Sequence, residues 1–184
     1  MTWSLLRVEL SVCGWILLLL IADIALPPSR QRSLWALALL GTSVAFAWLV
    51  QPQSFGAGET FQMMFVSDRF AVYFKGLFLL TTAVVILMTR EGQRRMPANL
   101  GAFYLLLFTA LLGMLVLASV NDMLLLFLGL ALLTFSLYIM TAYLNTDARS
   151  VEAGMKYLIL GSVSSGFLIF VVALLYGFAG STGF

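Results

Sequence analysis

The chain has 184 residues, of which 62% are hydrophobic and 10% are charged, and its formal net charge is +2. A soluble domain carries roughly 25% charged residues, so this chain lacks the polar side chains that cover a soluble fold. We therefore predict an integral membrane protein. The small net charge argues against nucleic acid as a partner. The chain has one cysteine and no histidine, so we expect neither an internal disulfide nor a His/Cys metal site.

Six apolar segments follow one another along the chain, each close to the roughly 20 residues that a membrane-spanning helix needs. They cover residues 5–26, 34–50, 70–89, 100–119, 123–143 and 153–178. A segment in lipid must satisfy its own backbone hydrogen bonds, which favours helices. The expected fold class is all-α, a polytopic membrane protein with six transmembrane helices. The first segment lacks a cleavage-site pattern, so we expect a retained span and not a signal peptide.

The connectors between these helices are short, and their basic residues are unevenly distributed. Pro27 and Pro28 end the first helix, and the turn at Asn121–Asp122 is tight enough to make the fourth and fifth helices antiparallel neighbours. The basic residues of the first, third and fifth connectors are Arg30, Arg32, Arg90, Arg94, Arg95 and Arg149. The positive-inside rule places these connectors in the cytoplasm and both chain ends outside, although Arg7 runs against it.

Polar residues recur every seven positions along the third predicted helix. Asp68, Lys75, Thr82 and Thr89 therefore line one side of that helix. In one interpretation the stripe faces the interior of the helix bundle, which makes Lys75 a candidate functional residue. In the other, Lys75 extends to the membrane interface beside Asp68. Both interpretations remain open from the sequence.

The fifth predicted helix shows one face with few lipid-like side chains. Ala131, Thr134, Tyr138 and Ala142 share that face, and we expect it to point into the protein. Ala131 lies about 13–14 Å past Asp122, near the middle of the bilayer. No acid lies at any of the six helix centres, which argues against a standalone transporter of another class.

A carboxylate and a lysine lie four residues apart at the start of the sixth predicted helix. Glu152 and Lys156 share one helical face, in the order that favours an ion pair. They form either a plain interfacial ion pair or part of a proton path in which Lys156 releases a proton. Further along, Gly161 with Ser165 and a second pair, Ser162 with Gly166, predict close helix packing.

From about Phe65 to its end, the chain resembles a known family. The stretch SVNDMLLLFLGLALLTFSLYIMTAYLNTDARSVEAGMKYLILG is similar to subunit N of bacterial NADH:quinone oxidoreductase, respiratory complex I. The upstream FVSDRFAVYFKGLFLLTTAVVILMTRE resembles the third helix of that family. The first two helices fit the family by position more than by motif.

This resemblance implies an antiporter-like, proton-pumping module made of inverted repeats preceded by peripheral helices. Residues 1–99 would hold the three peripheral helices, and residues 100–184 would hold helices four to six, the first part of the repeat. The chain would be a non-redox subunit in the membrane arm of the enzyme, in the bacterial inner membrane, and not catalytic alone. It would contact the lipid bilayer, a neighbouring antiporter-like subunit and small helical subunits. NADH, FMN, iron–sulfur clusters and quinone would be bound by those partner subunits, and no cofactor by this chain.

The sequence departs from the family pattern in two places. It stops after the sixth helix, before the broken, lysine-bearing helix of the family, so we expect a truncated or split subunit. Where the family reads G-L-E-L-L, this chain has Ala131 in place of the glutamate. Glu152 and Lys156 match the EAGxKY motif of the family, so Lys156, Glu152 and Lys75 are the proton-transfer candidates. Loss of the glutamate supports the alternative of a degenerate structural subunit without its own pumping path.

Overall fold

A computed structural model describes residues 6–25, 33–51, 58–60, 64–92 and 100–183. Its elements in chain order are α1 (Arg7–Ala25), α2 (Leu34–Val50), β1 (Gly58–Thr60), β2 (Phe65–Ser67), α3 (Arg69–Gly92), α4 (Leu100–Ala118), α5 (Met123–Thr141) and α6 (Ala148–Ala179). The prediction of a helical, multi-pass membrane fold is confirmed. Among the described residues, five helices are long and apolar enough to cross a membrane, and α2 is apolar but has only 17 residues. Pro27, Pro28, Arg30, Arg32, Arg94 and Arg95 lie outside the described residues.

The sixth helix begins at Ala148 and not at residue 153, so its predicted start was too late. Asp147 caps it, because the Asp147 carboxylate accepts a hydrogen bond of 3.0 Å from the amide of Arg149. With 32 residues the helix is about 47 Å long, which exceeds the roughly 30 Å of hydrocarbon in a bilayer. The charged first turns can therefore lie outside the hydrocarbon without ending the helix.

Helices α1 to α4 form a ring in which α1 packs against α2, α2 against α3, α3 against α4, and α4 against α1. The main cluster of buried apolar side chains comes from these four helices alone, and includes Val12, Leu19, Ala38, Ala45, Leu79, Ile86, Tyr104, Phe108 and Leu111. Helix α5 packs along α4, and α6 packs along α5. The two C-terminal helices are thus added to the outside of a four-helix core, and α6 is largely exposed.

Helices α4 and α5 are antiparallel neighbours, as the tight turn at Asn121–Asp122 predicted. Their backbones come into close contact at Gly113, where a Cβ atom would lie 2.8 Å from the amide nitrogen of Leu133 and 2.9 Å from the carbonyl oxygen of Gly129. Small residues at such positions let two membrane helices bring their backbones into direct contact. The contact holds α5, which carries position 131, firmly against the core.

The segment between α2 and α3 contains a short antiparallel sheet that the all-α prediction missed. Strand β1 pairs with β2, and β2 is also joined to the turn between α4 and α5. The amide of Val66 donates to the carbonyl of Ser119 at 2.9 Å, and the amide of Asn121 donates to the carbonyl of Met64 at 2.9 Å. Strands of three residues are too short to show a period in the sequence. The bonds to the turn between α4 and α5 join residues more than fifty positions apart, which only the fold brings together.

Asp122 joins the start of α5 to the residues that follow α6. Its carboxylate caps α5 by accepting hydrogen bonds from the amides of Leu124 and Leu125, at 2.9 and 3.1 Å, and it also accepts one from the Thr182 hydroxyl. Gly180, with φ at +69°, reverses the chain so that Thr182 can reach this turn. Burial raises the pKa of the Asp122 carboxyl, but the hydrogen bonds from Thr182, Leu125 and Leu124 outweigh it and lower that pKa below its usual value.

We expect Asp122→Ala to lower the free energy of unfolding by roughly 2 kcal/mol at neutral pH, because it removes both a helix cap and a hydrogen bond to a charged group. The lowered pKa means that this contribution is complete above the unfolded-state pKa of about 3.9 and is lost as pH falls through the folded-state value. Thermal unfolding in detergent from pH 7 down to pH 3 checks this, because the contribution of Asp122 should begin to fall as the pH drops below about 4. Thr182→Val, which keeps the cap, should lose only part of the stability. A difference between wild type and Asp122→Ala that persists unchanged at pH 3 would contradict the assignment.

Candidate functional site

Lys75 forms an ion pair inside the four-helix core. Its Nζ atom lies 2.7 Å from Oε1 of Glu9 in α1, and the two side chains are only 2% and 7% exposed. Asp68 takes no part, because it is exposed and caps α3 by accepting a hydrogen bond of 2.7 Å from the amide of Ala71. The interpretation that Lys75 extends to the interface beside Asp68 was therefore wrong, and Lys75, like Thr82 and Thr89, faces the bundle interior.

An aromatic ring contacts this pair, and Glu9 also borders a cavity lined mainly by apolar side chains. The ring of Phe65, in β2, lies with its centroid 4.9 Å from the Lys75 Nζ atom, a cation–π contact. Neither carboxylate oxygen of Glu9 has a partner with hydrogen-bond geometry among the described residues, so charge at short range holds the pair together. Removing either member of such a buried pair leaves an uncompensated charge in the core, which strongly destabilises the fold.

Glu9 was missed from the sequence, although one signal could have found it. It is a lone acid near the start of an apolar helix, and α1 and α3 run in the same direction because one helix separates them. Their N-terminal ends therefore lie at the same membrane face, and Glu9 and Lys75 both fall within the first two turns of their helices. An acid and a base at the same depth in parallel helices are candidates for pairing, since either alone is costly in lipid.

The polar stripe on α3 does not continue as a relay of side chains among the described contacts. The Thr82 hydroxyl donates to the carbonyl of Phe78 at 2.9 Å, and the Thr89 hydroxyl donates to the carbonyl of Val85 at 2.7 Å. Each threonine is thus satisfied within its own helix. The pair at Lys75 and the end of the stripe at Thr89 are separate polar points in the core.

Glu152 and Lys156 form the second ion pair, on the outward face of α6. Nζ of Lys156 donates to Oε1 of Glu152, and the side chains of Lys156 and Glu152 are 70% and 63% exposed. Because α3 and α6 run in opposite directions, this pair lies at the other membrane face from Lys75. The structure therefore does not bring together the three residues predicted to transfer protons.

In the C-terminal half of α5, the face that was expected to point into the protein is turned toward α6. Tyr138 is buried, and its ring packs edge-on against the ring of Tyr157, with centroids 4.7 Å apart. A Cβ atom added at Gly161 would overlap the hydroxyl of Tyr138. Close packing at Gly161 is thus confirmed, whereas Gly166 has nothing within 4 Å. Ala131, on the same face and half-buried, offers only a methyl group at the depth where an acid was sought.

Comparisons with known proteins agree with the recognised resemblance. Residues 120–184 match the family model described as NADH:quinone oxidoreductase/Mrp antiporter, TM. A protein of Desulfitobacterium hafniense named NADH-quinone oxidoreductase subunit N is 37% identical over 180 residues, which are 97% of this chain and 36% of that protein. The protein of Rhizobium meliloti named NADH-quinone oxidoreductase subunit N 2 is 35% identical over 98% of this chain and 38% of its own length. The chain thus spans little more than a third of the length of these relatives.

Two solved structures share the fold. One, described as respiratory complex I from Thermus thermophilus with bound aureothin, matches with a TM-score of 0.79 and 25% identity, over 96% of this chain and 38% of the matched one. The other, the membrane-bound sulfane sulfur reductase, described as an archaeal respiratory membrane complex, has a TM-score of 0.78 at 21% identity and shows the fold alone. The arrangement of α1 to α6 is therefore that of antiporter-like membrane subunits.

Proposed function

We propose that the chain is a membrane-arm subunit of a proton-translocating NADH-quinone oxidoreductase, because it is homologous to subunit N of such enzymes over nearly its whole length. The similarity to subunit N over 97% of the chain, together with the shared antiporter-like fold, carries this proposal. In this role it contributes to coupling quinone reduction, performed in partner subunits, to ion translocation. It sits in the bacterial inner membrane with the start of α6 at the cytoplasmic face, beside a neighbouring antiporter-like subunit and small helical subunits.

Lys156 is the proposed proton-transfer residue, with Glu152 as its partner, because both match the EAGxKY motif and lie in contact on one face of α6. The Glu152 carboxylate stabilises the charged ammonium of Lys156 at short range, and both side chains are open to whatever covers the outer face of α6. In this role Lys156 exchanges a proton with the groups or waters that cover this face of α6 in the assembled enzyme. Ala131 cannot take part in such a transfer, so a path at mid-membrane depth must use water or a group from another segment.

A structural role is the second candidate function, and two observations favour it. Position 131 has no titratable group, and the buried pair of Glu9 and Lys75 fixes α1 against α3 across the ring of core helices. In this alternative the chain holds its neighbours in place in the membrane arm and moves no proton itself. The two candidates differ in what Lys156 must do, which makes that residue the test.

Lys156→Ala is expected to impair proton-coupled quinone reduction if the first proposal is right, because loss of a positioned proton carrier slows its step by about 100-fold or more. The assay follows NADH-driven quinone reduction and the resulting pH gradient in membrane vesicles that contain the assembled complex. Arg149→Ala, an exposed cation in the first turn of the same helix, is the matched control and should leave coupling intact. Normal coupling in Lys156→Ala, with the subunit still assembled, would favour the structural role.

A further inference from the structure

An arginine and a tryptophan are stacked where α2 begins and α3 ends. The guanidinium carbon of Arg90 lies 4.2 Å from the centroid of the Trp35 ring, and Arg90 is exposed. Neither ion pair of the described residues includes Arg90. A guanidinium that stacks on a ring through its face still presents N–H donors along its edge. Tryptophan beside arginine is typical of the level where lipid headgroups meet the hydrocarbon.

An apolar groove runs between α2 and α3 directly below this stack. Its volume is about 360 Å³, and it is lined by Leu39, Thr42, Ser43, Phe46, Leu79, Leu80, Ala83 and Leu87. Trp35 precedes Leu39 by one helical turn, and Arg90 follows Leu87 by three residues, so the stack lies on the same helix faces as the groove. Along α3 the distance from Arg90 to Leu80, near the far end of the groove, is about 15 Å, which is about half of the hydrocarbon thickness.

We propose that this groove binds an anionic phospholipid, with its phosphate on Arg90 and one acyl chain between α2 and α3. Charge complementarity selects this occupant. An apolar groove of single-leaflet depth, with the Arg90 cation at its mouth, matches an acyl chain that is attached to a phosphate. Arginine binds phosphate through two parallel N–H donors, and basic pockets between membrane helices recognise anionic headgroups in this way. The stack on Trp35 holds the guanidinium at the headgroup level, so less side-chain entropy is lost when the lipid binds. This site is independent of whether the chain transfers protons.

Native mass spectrometry of the purified chain, titrated with phosphatidylglycerol and with phosphatidylcholine of identical acyl chains, tests the proposal. Wild type should retain phosphatidylglycerol preferentially. Arg90→Gln should weaken that retention about tenfold, the loss that corresponds to removing a charge-assisted hydrogen bond, and should bring the two lipids to equal affinity. Arg149→Gln removes an exposed arginine outside the groove and should leave the preference unchanged.

A second variant tests the groove itself. Ala83→Phe fills the groove and keeps Arg90, so it should lower the retention of both lipids at this site. Helix content, measured by circular dichroism, shows whether each variant folds. Equal binding of phosphatidylglycerol by wild type and Arg90→Gln would overturn the proposal. Unchanged lipid binding by Ala83→Phe would overturn it as well, and so would a groove found occupied by a protein helix in an assembled complex.

Discussion

Lys75→Met should lower the free energy of unfolding by about 3–5 kcal/mol, because it leaves Glu9 as a buried carboxylate without its cation. Both members of this pair are almost completely buried, at 2% and 7% exposure, so solvent can compensate little of the loss. Glu9→Gln should have an effect of the same sign, since it leaves the ammonium unpaired. Equilibrium unfolding of each variant in mixed micelles, followed by circular dichroism, gives the difference.

The double variant Glu9→Gln/Lys75→Met separates a buried pair from two independent contacts. Replacing both charges removes the uncompensated group, so the double variant should recover most of the stability lost by either single variant. Lys156→Met provides the matched control at the exposed pair and should change stability by less than about 1 kcal/mol. Additive losses in the double variant would show that Glu9 and Lys75 are not coupled in the folded protein.

Gly113→Ala should destabilise the protein by roughly 1–3 kcal/mol, although alanine is the better helix former. The added Cβ would lie 2.8 Å from the amide nitrogen of Leu133 and 2.9 Å from the carbonyl of Gly129. These are backbone atoms of α5, so they can move aside only if the two helices separate. Overpacking of this kind outweighs the gain of about 1 kcal/mol in helix propensity. The same unfolding assay measures the change.

Gly14 in α1 is the matched control for Gly113. A Cβ atom there meets nothing within 4 Å, so Gly14→Ala changes the same residue type inside an apolar helix without a steric conflict. Its stability should stay the same or rise by up to about 1 kcal/mol. If Gly113→Ala were as stable as Gly14→Ala, the close approach of α4 and α5 would not be a tight constraint in solution.

The candidate site was predictable in its parts and not in its arrangement. The seven-residue spacing on α3 correctly predicted a polar stripe with Lys75, but it could not choose between Asp68 and an acid in another helix. The spacing of Glu152 and Lys156 predicted their contact, because both residues lie on one helix and local geometry is enough. Contact between Lys75 and Glu9 depends on how α1 sits against α3, and no periodicity within either helix contains that information.

The sequence by itself determined that this is a membrane protein, and it predicted the six helices found among the described residues. That conclusion depends on a local property, the length of the apolar runs. The antiporter-like fold was implied by the resemblance to a known family. The tertiary structure decided the rest: the pairing of Glu9 with Lys75, the strand that joins residues 64–66 to the turn between α4 and α5, and the hydrogen bond from Thr182 to Asp122. Each of these joins residues more than fifty positions apart. Such contacts form only because helix packing brings buried polar groups together, where each must find a partner or bear the cost of desolvation.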